Sequence, residues 1–265
     1  MDRRTFLTFA SIGGLFVKDI FASQNIYQPK DTLYSDNHSI SMIKDIYIPQ
    51  HQWNIFLSAR DRLHRVKRHI GYGNFNIISF DTTLFYARNY SSIGAFTKEE
   101  LNLLDNLFYE DPTKYQFYGK RTCHNITKKI SKKDVVKIPH TGHYLYKGKP
   151  LADYTRVKKD IGDELILTSG VRGVVKQMSL YLDKIYRTKG NITKASHSIA
   201  PPGYSYHAIS DFDVGKKGLG YDNFTSKFAK TDEFKKLKKL KYIAMRYKKN
   251  NKEGVRYEPW HVQVI

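Results

Sequence analysis

Two stretches near the end of the sequence hold residue types that bind metals and move protons. The stretch "SYHAISDFDVG" contains His207 with Asp211 and Asp213 close behind it, and "EPWH" contains Glu258 three residues before His261. Two histidines and one carboxylate form a three-ligand set that is typical of catalytic zinc and leaves one position open for water. Such a water needs a proton acceptor, and a neighbouring glutamate can serve as one. The pattern therefore predicts a hydrolytic zinc site with Glu258 as the general base.

The spacing alone leaves the choice of carboxylate open. Side chains alternate between the two faces of a strand, so Asp211 and Asp213 would point the same way and either could reach a metal. A lone histidine is also more often a hydrogen-bonded polar residue than a ligand, and two nearby aspartates often lie on a solvated strand edge or turn. The metal interpretation therefore needs support from other parts of the chain.

Three motifs taken together resemble the M15 family of zinc peptidases. They are "LTSGVR", "SYHAISDFD" and "EPWH", and they follow the family's order from Ser169 to His261. The family contains D-alanyl-D-alanine carboxypeptidases together with their dipeptidase and L,D-carboxypeptidase relatives, which act on peptidoglycan. The resemblance covers roughly the C-terminal half of the chain directly. It implies a zinc-dependent carboxypeptidase that hydrolyses the terminal D-amino acid peptide bond of peptidoglycan stem peptides.

The resemblance also implies the ligands of one Zn²⁺ per chain. His207, Asp213 and His261 would hold the metal, and Glu258 would activate the zinc-bound water. The first motif departs from the family pattern, because its acid stands one residue closer to the histidine and the usual glycine and alanine are missing. We prefer Asp213 over Asp211 because Asp213 precedes a valine and a glycine at the end of the predicted strand, as the family's acid does.

Further site residues follow from the same resemblance. Arg172 would bind the terminal carboxylate of the substrate or stabilise the oxyanion, since the planar donors of a guanidinium match paired oxygens. Ser205 and Trp260 are expected beside the bound substrate, Ser205 supporting the turn and Trp260 packing next to the catalytic residues. His140 and His143 in "PHTGHY" are interpreted as packed or lining residues.

The geometry of the second motif requires a break in the strand. In a regular strand Glu258 and His261 would face opposite sides of the sheet. Pro259 cannot donate a ladder hydrogen bond, so we expect the pleat to break there.

Charge and cysteine content narrow the class of partner. The chain of 265 residues carries 45 Lys and Arg against 25 Asp and Glu, a net charge of +20, which favours an anionic partner such as nucleic acid, a membrane surface or peptidoglycan. A single cysteine excludes an internal disulfide and a cysteine-based zinc site. Hydrophobic residues make up 40% of the sequence, which argues against wholesale disorder.

The N-terminus has the pattern of an export signal. Two arginines precede an apolar run from Phe6 to Val17, which is too short for a permanent membrane span. The string "RRTFL" resembles the twin-arginine signal, and an ordinary secretory signal or an uncleaved anchor remains the alternative. We expect cleavage near Ala22 and a protein exported to the periplasm or cell envelope, with no stable membrane span and no nucleic-acid partner.

The periodicity of the rest predicts an α+β fold. Thr97 and Glu100 form a capping box before one helix, and Thr231 caps another. The sheet should be mainly antiparallel and come from the C-terminal half, with helices packed on it. We expect one catalytic domain over residues 23–265, with a mostly helical part (about 42–157) and a zinc-site part (about 158–265). The predicted helices are "NIFLSARDRLHRVKRHIGY", "TKEELNLLDNLFYED", "GVVKQMSLYLDKIY" and "TDEFKKLKKL"; the predicted strands are "DELILTSG", "SDFDVG", "YIAMRY" and "VRYEPWHVQV", the last two joined by "KKNNKEG".

Two other functions are compatible with parts of the sequence. The strings "SDN" and "SMIK" resemble motifs of serine enzymes that act on the same substrate, but they stand in reversed order and Lys-Thr-Gly is absent. A non-catalytic, basic cell-wall-binding protein could use "RDRLHRVKRH" and "KKLKKLKY" as contact faces. The sequence does not distinguish D,D-carboxypeptidase, L,D-carboxypeptidase and D,D-dipeptidase activity, because pocket shape decides among them.

Overall fold

The computed structural model describes residues 44–265 of the chain. The predicted export signal (residues 1–22) and the "SDN" string lie outside the described residues, together with most of "SMIK". Asp45–Ile48 and Gln52–Ile265 form one compact unit. Within residues 44–265, no helix is long and apolar enough to cross a membrane.

The described residues form helices first and most of the sheet later. The α-helices are α1 (Trp53–Ile70), α2 (Tyr72–Phe75), α3 (Phe80–Asn89), α4 (Lys98–Tyr109), α5 (Lys149–Ile161), α6 (Val174–Arg187), α7 (Ile192–Ser196) and α8 (Asp232–Leu237). The strands are β1 (Val135–Lys137), β2 (Tyr144–Tyr146), β3 (Leu165–Ser169), β4 (Phe212–Lys216), β5 (Ala244–Met245) and β6 (His261–Gln263). Short 3-10 helices occupy Gln50–Gln52, Pro112–Tyr115, Lys132–Asp134, Tyr206–Ala208, Gly220–Phe224 and Phe228–Lys230.

The helical part is organised around α1. Its buried residues, Phe56, Ala59, Leu63 and Val66, recur three or four positions apart and face α4 and α6. Its last turn carries three basic residues, which interact favourably with the negative end of the helix dipole. The predicted amphipathic helix with a basic exposed face is thus confirmed.

The N-terminus of α4 is tied to α1 through a buried carboxylate. The Thr97 hydroxyl accepts a hydrogen bond from the Glu100 N–H (3.2 Å), and Glu100 Oε2 accepts one from the Thr97 N–H (2.9 Å), which is the predicted capping box. The same carboxylate is 1% exposed and accepts hydrogen bonds from Arg62 Nε (2.8 Å) and Nη2 (3.0 Å). Glu100 therefore caps α4 and holds α1 against it through Arg62.

The main sheet has the strand order β3-β4-β6-β5, and every neighbouring pair is antiparallel. The helices α5 and α8 cover it with apolar side chains, among them Val157, Ile161 and Leu237. A separate antiparallel hairpin joins β1 and β2. The predicted α+β class, with a mainly antiparallel sheet from the C-terminal half, is confirmed.

The predicted last two strands are much shorter than expected. "YIAMRY" contributes only β5, and "VRYEPWHVQV" contributes only β6, because the chain turns before it. The His261 N–H donates to the Glu258 carbonyl (3.2 Å), and Pro259 inside this turn has no N–H for a ladder. The strand prediction was therefore wrong for residues 255–260, whereas the predicted break at Pro259 is confirmed.

We expect removal of the Glu100 carboxylate to destabilise the chain more than removal of the cap hydroxyl. Thr97→Ala loses one cap and should cost about 1 kcal/mol. Glu100→Ala also leaves the guanidinium of Arg62 buried without its carboxylate, which should cost about 3 kcal/mol or more. Urea unfolding of the metal-free chain measures both, with Thr97→Ser as the control that keeps the hydroxyl. Equal losses for the two alanine variants would contradict the role given to the ion pair.

Candidate metal centre

Three of the predicted site residues converge on one point. His207 Nε2 and His261 Nδ1 lie 3.3 and 3.4 Å from the same atom, Asp213 Oδ1. One ligand atom from each residue lies within 4.8 Å of the others, and all three side chains are buried. The structure thus brings together two imidazole nitrogens and one carboxylate oxygen.

The sheet register and one tight turn position these side chains. Asp213 on β4 pairs with His261 on β6, so both side chains stand on the same face. His207 lies on the 3-10 helix Tyr206–Ala208, and its Nδ1 is 2.9 Å from the carbonyl oxygen of Gly170. A carbonyl only accepts hydrogen bonds, so Nδ1 carries the hydrogen and Nε2 presents its lone pair to the cluster.

The buried atoms at this point fit a bound zinc ion. Among the described residues, His207 Nε2 and Asp213 Oδ1 are buried without a hydrogen-bond partner. Such atoms are costly to bury unless something satisfies them. Two imidazole nitrogens and a carboxylate oxygen are the donor types that Zn²⁺ accepts at catalytic sites, with one position left for water.

The protonation of His207 and Asp213 suits a cation. Burial, assisted by the charge of Arg172, lowers the pKa of His207 to about 4. Burial alone would raise the pKa of Asp213, but His207 and Arg172 hold it well below its usual range. At neutral pH the histidine is therefore neutral and the aspartate charged, which are the forms that bind metals.

His261 behaves differently before a metal is bound. Burial opposes its protonation, but hydrogen bonds to Asp211 and Glu258 and the charge of Asp213 outweigh burial and raise the pKa of His261 to about 9. The ring is therefore protonated at neutral pH in the metal-free chain. A metal must displace that proton to reach Nδ1.

Glu258 stands beside the cluster, on the turn before β6. Its Oε2 is 3.6 Å from His261 Nδ1, and the residue is only 7% exposed. Burial raises the pKa of this carboxyl, and the negative charge of Asp213 acts in the same direction. A carboxylate of raised basicity next to the three ligand atoms is suited to accept a proton there.

Arg172 contacts the cluster from the β3 side. Its Nη2 donates to Asp213 Oδ2 (2.6 Å) and its Nε to the Ser169 hydroxyl (2.8 Å). The guanidinium therefore neutralises the buried carboxylate and is itself oriented by a serine of the "LTSGVR" motif.

Asp211, the other candidate ligand, lies on the far side of His261. Its Oδ2 is 3.1 Å from Nε2 of that ring, and its two oxygens accept hydrogen bonds from Arg246 Nε (2.8 Å) and Nη2 (3.1 Å). Arg246 was not among the residues predicted from the sequence. Its only signal was a single arginine among the apolar residues of "YIAMRY".

The remaining predicted residues lie around the cluster. Ser205 is buried immediately before the turn that carries His207. Trp260 is 3% exposed within the apolar core of the sheet and packs against Phe224, a placement that favours packing over contact with a substrate. His140 is exposed, whereas burial and the nearby cations Lys176 and Arg172 lower the pKa of His143 to about 4.

A family comparison covers the part of the chain that contains the cluster. Residues 150–265 match the family model of VanY, described as D-alanyl-D-alanine carboxypeptidase. The match confirms the predicted resemblance to the M15 zinc peptidases. The matched residues contain the whole cluster, and the match agrees with the predicted class of enzyme, a zinc metallopeptidase with Zn²⁺ as its cofactor.

Solved structures similar to this chain include two peptidases. One is the LD-carboxypeptidase LdcB, at 25% identity and a TM-score of 0.42, over 51% of this chain and 70% of that one. Another is VanYB in complex with D-alanine-D-alanine, at 20% identity and a TM-score of 0.40, over 56% of this chain and 84% of that one. No curated protein matches the chain significantly.

Zinc binding should release a proton from His261. Because the raised pKa keeps this ring protonated below about pH 9, binding near pH 7 should release about one proton, and apparent affinity should rise up to tenfold per pH unit. Above about pH 10 the release from this group should vanish, since the ring is already neutral. Calorimetry in buffers of different ionisation enthalpy measures the proton count. The same proton count at both pH values would contradict the raised pKa.

Proposed function

We propose that this chain is a zinc-dependent carboxypeptidase that removes the terminal D-amino acid from peptidoglycan stem peptides. The observation that carries the proposal is the buried convergence of His207 Nε2, Asp213 Oδ1 and His261 Nδ1, with Glu258 next to them. The family match over residues 150–265 supports the substrate class.

The proposed chemistry is hydrolysis with Glu258 as the proton carrier. Zinc held by the two histidines and Asp213 would supply Lewis acidity, which polarises a carbonyl and makes a water molecule more acidic. Glu258 accepts a proton from the attacking water and delivers it to the leaving amine nitrogen as the C–N bond breaks. Its buried position and raised pKa suit both transfers.

Arg172 is proposed to recognise the free end of the substrate. Two of its nitrogens, Nε and Nη2, are engaged by Ser169 and Asp213, and within the described part of the chain Nη1 has no hydrogen-bond partner. That nitrogen can donate to the substrate's terminal carboxylate or to the oxyanion. The net charge of +20 favours an anionic cell-wall polymer as the surrounding surface.

The proposed substrate sets the place of action. Peptidoglycan lies in the cell envelope, and the "RRTFL" string at the N-terminus fits export to the periplasm or envelope. We therefore propose residues 23–265 as the exported protein, acting as a single catalytic domain.

Replacing Glu258 should separate metal binding from turnover. Glu258→Gln should retain one zinc per chain but lose about 100-fold to 10,000-fold in kcat, because a positioned base acts mainly in the transition state. Metal analysis gives the zinc content, and mass spectrometry of products from defined muropeptides gives the rate. If the wild type holds zinc and binds peptidoglycan without releasing any amino acid, the chain is a binding protein and the proposed activity fails.

The free carboxylate of the substrate tests the role of Arg172. The wild type should cleave a muropeptide with an amidated C-terminus about 10-fold to 100-fold less efficiently than the free acid, the value of one charge-assisted hydrogen bond. Arg172→Lys keeps the charge but loses the planar pair of guanidinium donors, so it should raise KM for the free acid. The ratio of cleavage efficiency between the free acid and the amidated substrate should therefore become smaller than in the wild type. Equal cleavage of both substrates by the wild type would exclude carboxylate recognition and favour the oxyanion role.

A further inference from the structure

A carboxylate that the proposed zinc site does not use lies directly behind one of its histidines. Asp211 is 1% exposed and ends the irregular segment before β4. Besides Arg246 Nε and Nη2, the Val264 N–H donates to its Oδ1 (3.3 Å). The Ser210 hydroxyl also donates to Oδ1 (3.4 Å), and His261 Nε2 lies 3.1 Å from Oδ2. A buried charge with this many donors is held in a single orientation.

Arg246 is fixed as firmly as its partner. Its side chain is 15% exposed, and its guanidinium lies 3.8 Å from the ring centroid of Tyr206, the residue before His207. Its backbone N–H donates to the His261 carbonyl (3.1 Å). One arginine therefore contacts the chain next to both histidines of the cluster.

We infer that Asp211 and Arg246 form a positioning pair that sets which nitrogen of His261 faces the metal. A carboxylate only accepts hydrogen bonds, so its contact with Nε2 places a hydrogen there and turns Nδ1 toward Asp213 and His207. Arg246 in turn holds the carboxylate at the required angle. The inference rests on the proposed zinc site and adds residues outside the three ligands.

The geometry argues against Asp211 as a ligand. Both of its oxygens are occupied by Arg246, and it touches the ring nitrogen opposite to the one near Asp213. The acid also stands where the first motif of this chain departs from the pattern of the family that it resembles. Asp211 and Arg246 therefore form one unit, in which each side chain depends on the other.

Zinc affinity measured by competition with a chelator tests the pair. Asp211→Asn should weaken zinc binding about 10-fold to 100-fold, the usual cost of losing an outer-sphere partner of a metal-ligating histidine. Arg246→Met should weaken it as well, and the double variant should lose less than the product of the two single losses, because both act through one contact. In the cobalt-substituted chain, the visible absorption of Asp211→Asn should shift relative to the wild type.

A matched control distinguishes positioning from general stability. Glu233 is a buried carboxylate paired with Lys216 at the other end of β4 (2.9 Å), so Glu233→Gln breaks a comparable ion pair on the same strand. This variant should keep wild-type zinc affinity and an unchanged cobalt spectrum, even if its melting temperature falls.

The outcomes separate this inference from the proposed function. A wild-type chain that retains no zinc refutes both. Suppose instead that the wild type retains zinc. The positioning pair alone is then refuted if Asp211→Asn binds zinc as tightly as the wild type, or if Glu233→Gln loses as much zinc affinity as Asp211→Asn.

Discussion

The buried carboxylate of Asp213 is the constraint on which the structure around the cluster depends. It is 2% exposed and charged, so neighbouring groups must stabilise it: Arg172 donates to its Oδ2, and the imidazoles of His207 and His261 lie beside its Oδ1. In the sheet it pairs with Ser169 on one side and His261 on the other, and a register shift after Leu167 brings the serine opposite. A slip of one residue in either pairing would turn these side chains to the other face of the sheet. The strand register therefore determines the geometry of the cluster.

The helical part of the chain contributes by bracing the turn that carries Arg172. The helix α6 begins right after this turn, and the Gly173 N–H donates to the Asn76 carbonyl between α2 and α3 (2.7 Å). On the other side of the arginine, a Cβ at Gly170 would lie 2.0 Å from the Tyr144 carbonyl oxygen, so only glycine fits there. The turn that carries the guanidinium is thus held by backbone contacts with two segments of the helical part, around Asn76 and around Tyr144.

Features that depend on neighbouring residues could be predicted from the sequence, whereas contacts between distant segments could not. The capping box of Thr97 and Glu100 and the three motifs depend on residues within a few positions of each other, so they were recognisable. The helix α5 was not predicted because its buried face includes Asp153, which weakens the apolar period. Arg246 was missed because its partner is 35 positions away and only the fold brings them together.

The two histidines of the cluster differ in what orients them, and this difference bears on how the site can change by mutation. His207 is held by a main-chain carbonyl, that of Gly170, which no side-chain replacement removes. His261 is held by the side chain of Asp211, which a single codon change can alter. Variation among descendants of this chain, or in a directed-evolution library, can therefore adjust the second imidazole in small steps while the first remains fixed.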